Sequence, residues 1–141
     1  MIKQLTIAAM TAALVACGSG GGASGPATPE SAAKMSPIQL AEGVVSDMRE
    51  ATSVLEGIQT AEEAEAALPR IRELGESYSA RITAMRTMDQ SKIGDPQKYM
   101  EAQMASADAM AGFMAALDAL RGRSSEAGNI VTPELQAFRP A

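Results

Sequence analysis

Ten methionines, seventeen carboxylate side chains, one cysteine and no histidine define the chemistry open to this 141-residue chain. Met100 and Met104, and again Met110 and Met114, stand four residues apart. On a helix that spacing puts two thioethers on one face, and thioethers are soft ligands suited to Cu(I). The competing reading is packing. Methionine fills irregular helical cores well, and these positions fall on the apolar seam of the helix that contains them. Met85 and Met88 close the preceding seam, across a loop from Met100.

Two polar groups invite the same weighing. Glu62, Glu63, Glu65, Glu73 and Glu76 could serve acid–base work or hold a divalent cation. Three of them, however, fall in the first turns of a helix, where negative charge complements the helix dipole. Arg70 and Arg72 follow closely enough to pair with them. Arg81, next to Tyr78 on one helical face, occupies a seam position where an apolar residue is expected. Its guanidinium either snorkels to the bundle edge, pairs with Asp108 or Asp118 of the next helix, or receives an anionic ligand.

The missing residues narrow the field further. Without histidine, Ser–His and Cys–His nucleophiles and histidine-based zinc or haem ligation are excluded, and nothing titrates near neutrality unless strongly shifted. A single thiol excludes an internal disulfide. Four aromatic residues, Tyr78, Tyr99, Phe113 and Phe138, make stacking platforms for bases or sugars hard to build. The formal charge of −5 argues against nucleic acid and against adsorption to anionic lipid. No nucleophile–base pair or phosphate loop can be assembled, so the expectation is a non-enzyme without a resident cofactor.

The cysteine has its own context. Lys3 precedes an apolar run, Leu5 to Val15, that is roughly half the ~20 residues a membrane-spanning helix needs. The run ends in Leu14-Val15-Ala16-Cys17 and then Gly-Ser-Gly. This tetrapeptide resembles the lipobox of bacterial lipoprotein precursors. The resemblance implies a signal peptide over 1–16, recognition of Leu14, Val15 and Ala16 by the signal peptidase, and lipidation of Cys17. It further implies a membrane partner through that lipid, on the extracytoplasmic side of the cell envelope. Gly18, where aspartate would signal inner-membrane retention, mildly favours the outer membrane of a Gram-negative cell. Cleavage would remove Lys3 alone among the charged residues and leave a charge of −6.

Behind Cys17 the composition divides. Residues 17–35, rich in Gly with Pro26 and Pro29, read as a flexible tether. Residues 36–122 read as an all-α bundle in three similar lengths, about 37–58, 61–88 and 96–121, arranged up-down-up. Ser36-Pro37, Thr60 with Glu63, and Asp95-Pro96 each mark a helix start. The first seam runs Ile38, Ala41, Val45, Met48, Thr52 and Leu55, with Asp47 off it. The second runs Ala64, Ala67, Ile71, Leu74, Tyr78, Ile82, Met85 and Met88, and keeps phase across Pro69. The third runs Met100, Met104, Ala107, Met110, Ala111, Met114, Leu117 and Leu120. Residues 123–141 read as a tail, with one short helical turn opened by Thr132-Pro133-Glu134-Leu135.

The stretch Met48–Leu55, Ile58 and Ala61, followed by Ala67-Leu68 and Ile71-Arg72, resembles the first hairpin of cytochrome b562-type bundles. That resemblance implies short connections and places the family's haem-ligating methionine on Met48. The family's second ligand is a histidine, which this chain lacks. The leading expectation is a non-catalytic, membrane-anchored envelope lipoprotein: a helical interaction or structural module with an envelope protein partner or self-association. The alternative is a ligand binder, with Cu(I) at the methionines or haem at Met48.

Overall fold

Each of the longer helices starts on a side-chain cap. In the computed structural model, which describes residues 25–139, the order is α1 (Pro29–Ala32), α2 (Pro37–Gly57), α3 (Ala61–Thr87), α4 (Pro96–Arg123) and α5 (Ser125–Val131). Two 3₁₀ turns, Gln90–Lys92 and Glu134–Phe138, complete it, and there is no strand among the described residues. Thr28, Ser36 and Thr60 form capping boxes with Ser31, Gln39 and Glu63. The Asp95 carboxylate accepts from the amides of Gln97 and Lys98, and the Ser124 hydroxyl from that of Ala127. These groups satisfy the free N–H groups that every helix start presents. Pro69 sits inside α3, and the helix runs through it.

α3 returns along α2, as the Arg81–Asp47 and Arg70–Glu50 pairs show. α4 runs in the sense of α2, because Arg123 at its end donates to the carbonyls of Leu55 and Ile58 at the end of α2, both at 3.1 Å. Arg123 thus satisfies the carboxyl end of a neighbouring helix as well as its own dipole. α2 packs extensively on both α3 and α4, yet α3 and α4 hardly meet. α5 and the last 3₁₀ turn lie between them.

The expected tail is therefore a fourth side of the bundle. Val131, Leu135 and Phe138 are buried, and the Phe138 ring stands 5.2 Å from that of Tyr78 on α3 and 5.1 Å from that of Phe113 on α4. Gly75 on α3 permits the approach: a Cβ there would lie 3.0 Å from the Cβ of Ala137 and 3.4 Å from the Phe138 ring. The Arg72–Glu134 ion pair fastens the turn from outside.

The expected tether also differs. Residues 25–35 belong to the folded domain: Ala27 and Ala32 are buried, and α1 packs on α3. The signal sequence and Leu14, Val15, Ala16 and Cys17 lie outside the described residues. No helix among the described residues is long and apolar enough to cross a membrane.

Because the Phe138 ring fills the gap between α3 and α4, Phe138→Ala should cost about 3–5 kcal/mol in denaturant unfolding. A chain ended after Thr132 should lose its cooperative transition altogether.

Candidate functional site

Arg81 is the side chain that the sequence singles out, and the structure buries it completely. Its partner is neither Asp108 nor Asp118 but Asp47 of α2, a residue whose spacing placed it off the seam and which is 4% exposed. Antiparallel packing of α2 on α3 brings the two together. Arg81 Nε donates to Asp47 Oδ2 at 3.0 Å. The Ser77 hydroxyl, one turn back on α3, donates to the same oxygen at 2.8 Å. Asp118 lies on the outer side of α4, near Arg121.

The remaining donors of the guanidinium point at the segment before α2. Nη2 donates to the Gly25 carbonyl at 2.6 Å, and Nη1 lies 3.5 Å from the Met35 sulfur. The Ala27 amide donates to Ser77 Oγ at 2.8 Å. No buried side-chain nitrogen or oxygen among the described residues lacks a partner. Gly43 makes room: a Cβ there would fall 1.9 Å from Nη1. Each guanidinium nitrogen thus has a partner within the protein and the side chain is fully buried, so an anionic ligand cannot enter without displacing residues 25–35.

Burial pushes the Asp47 carboxyl above its ordinary range, opposed by the hydrogen bond from Ser77 and the charge of Arg81. A raised folded value means that the protonated acid is the better tolerated form. Stability from this group alone is full below the ordinary aspartate value and declines as pH rises through the raised one. The buried pair therefore fixes geometry while adding little net stability.

The methionines divide differently from the expectation. Met100 is 65% exposed, Met104 68% and Met114 47%, and only Met110 packs against the core. The buried side of α4 is instead Ala102, Ala109, Phe113, Ala116, Leu117 and Leu120. Met100 and Met104 lie about 160–200° around the helix from Ala102. Met100 and Met114 are about 21 Å apart along the axis, so the four sulfurs cannot meet at one ion. Together with Ala107, Ala111 and Ala115 they form an uncharged outward stripe about 22 Å long.

The other candidates resolve structurally. Met48 is 1% exposed and packed inside the main core, so a haem could reach its sulfur only by dismantling that core. Glu63 caps α3, and Glu73 and Glu50 both pair with Arg70. No group of three or more acidic or thiol side chains among the described residues is placed to hold a metal ion. A groove of ≈ 750 Å³ runs between α1, α3 and the last turn, floored by small residues such as Ser79, Ala80 and Thr83. Its rim carries the Arg72–Glu134 pair, which holds the Glu134 carboxyl below the ordinary glutamate range. Comparison with family models, curated proteins and solved structures finds no match.

Removing one member of the buried pair should expose the asymmetry between them. Asp47→Ala strands a guanidinium and should lower unfolding stability by as much as about 3–5 kcal/mol. Arg81→Met should cost less, since Asp47 can take up a proton, and Asp47→Leu with Arg81→Met should return close to the parent. On the surface, the Arg72–Glu134 pair contributes above the ordinary glutamate range and is lost as pH falls through the depressed folded value. NMR titration should accordingly show the Glu134 carboxyl moving up toward the ordinary value in Arg72→Gln.

Proposed function

We propose that this chain is a membrane-anchored envelope lipoprotein whose helical domain is a non-catalytic interaction module. The observation that carries the interaction role is the outward face of α4. A small folded domain rarely turns three methionines to water along one uncharged stripe unless that stripe meets another surface. The thioether side chain is flexible and polarisable, which suits a contact that must adapt to a partner. The anchoring role rests on the lipobox resemblance at Leu14-Val15-Ala16-Cys17, with Cys17 as the lipidated residue. The several acyl chains of that modification would hold the domain firmly, where a single chain would not.

The Arg81 contact with Gly25 supports a short leash. Eight peptide steps separate Cys17 from Gly25, so the folded part begins no more than about 28 Å from the anchor. In this reading the outer face of α4 works close to a membrane surface. Up-down-up describes the three long helices, closed by the C-terminal segment as a fourth side.

Two measurements check the two halves separately. Cys17→Ser protein should leave the membrane fraction on a high-salt wash; retention there would sink the anchor. A photocrosslinker at position 104 or 111 should give a discrete adduct in intact envelopes. The same probe at the exposed Glu62 should not, and Met100→Glu with Met104→Glu should abolish the adduct from position 111 while thermal unfolding changes little. Equal labelling from both faces would remove the interaction role from α4.

A further inference from the structure

Residues 25–35 form a strap with a hydrophobic cluster of their own. Ala27, Ala32, Leu40 and Ala80 are buried together, flanked by Met35, Ala84, Met85 and Met88. Met85 alone packs on both this cluster and the main core, which holds Met48, Leu55, Ile71, Leu74, Phe113 and Phe138. Its buried residues are mostly alanines, so it withdraws little apolar area from water. The strap also seals the Arg81–Asp47 pair: Gly25 and Met35 both contact the guanidinium, and Ala27 holds Ser77. Lifting it would return two charges to water and recover their hydration.

We infer that residues 25–35 are a releasable strap, clasped by Arg81, that opens independently of the bundle and sets how far the domain stands from its anchor. Closed, the spacer from Cys17 ends at Gly25, a maximum of about 28 Å. Open, it extends to Ser36, nineteen peptide steps from Cys17 and about 65 Å at most. Apart from Met85 at its edge, the main core keeps its packing through the change, because its buried residues all come from α2, Ile58, α3, α4 and the C-terminal segment and none from the strap. Little apolar surface and a hydration gain make the open form accessible, and the hydrogen bonds of Gly25 and Ala27 keep the closed form specific. The reach claim rests on the anchor reading, whereas the opening itself does not.

Hydrogen exchange on the full-length mature protein tests the opening. The Ala32 to Met35 amides, bonded within the strap to carbonyls from Thr28 to Ala32, should exchange at least tenfold faster than those of Leu55 or Ile71. Their rates should not change in low denaturant. Gly43→Ala, which drives the guanidinium from its place while retaining every charge, should speed the strap amides a further tenfold, with strap rates still flat in low denaturant, and speed the core amides by no more than that. Exchange of strap and core at one common rate, or strap rates that climb with denaturant as steeply as the core rates, would overturn the proposal. Neutron reflectometry of the acylated protein on a supported bilayer tests the reach. The domain should rise by roughly 8 Å in Gly43→Ala, the difference in coil dimension between eight and nineteen residues, and an unchanged height despite faster strap exchange would refute the reach role. A Cys17→Ser protein that stays on membranes would remove the anchor and leave the exchange result standing.

Discussion

The contact on which this fold depends is the Phe138 ring lodged beside Tyr78 and Phe113. Three of the chain's four aromatic residues are spent there. The seams of the long helices are narrow and rich in alanine, which lets α2 lie close to α4 but gives α3 and α4 little to share. Three such helices enclose a gap that their own side chains cannot fill. Aromatic rings from a fourth element fill it, each carrying more buried area than two or three alanines. Capping by Ser124 and the Arg72–Glu134 pair are secondary fastenings that present Phe138 at the right depth.

The buried Arg81–Asp47 pair obeys a different logic. Were its purpose stability, packed apolar side chains would serve as well or better. It does something that leucine cannot. Its donors specify one path for residues 25–35, through the Gly25 carbonyl and, by way of Ser77, the Ala27 amide. Apolar contacts from alanines alone would let that segment slide. Polar geometry thus chooses the route by which the chain enters the domain, while the aromatic cluster holds the bundle. The two sets of interactions bury different residues and share only Met85 at their border.

Helix starts were legible because a cap is a local event. Ser36-Pro37, Thr60 with Glu63 and Asp95-Pro96 each solve a hydrogen-bond problem within four residues. α2 and α3 were legible because their large aliphatic residues recur with one phase, and that phase survives Pro69. Asp47 was not. A lone aspartate beside a seam looks solvated until an arginine from another helix is known to face it, and that pairing depends on the antiparallel register of α2 and α3. Phe138 was lost for a related reason. Ala127, Val131, Leu135 and Phe138 do recur at helical steps, but Pro133 interrupts so short a stripe, and Gly and Ser before it read as the end of a domain.

α4 misled the periodic reading in a more instructive way. It has two faces poor in charge, one of alanine with Phe113, Leu117 and Leu120, and one of alanine with Met100, Met104 and Met114 that is uncharged until Asp118. Ranking faces by side-chain size picks the methionines over most of its length, and the fold picks the alanines, because close approach to α2 demands small residues there. A helix under selection for the bundle alone would place charge on the rejected face, as α3 does with Glu62, Glu65 and Glu76. Keeping that face apolar adds solubility risk without improving the packing of this chain on itself. Such a departure from local consistency is what a surface under a second demand looks like. The same feature that defeated assignment of the core is therefore the observation on which the proposed interaction surface rests.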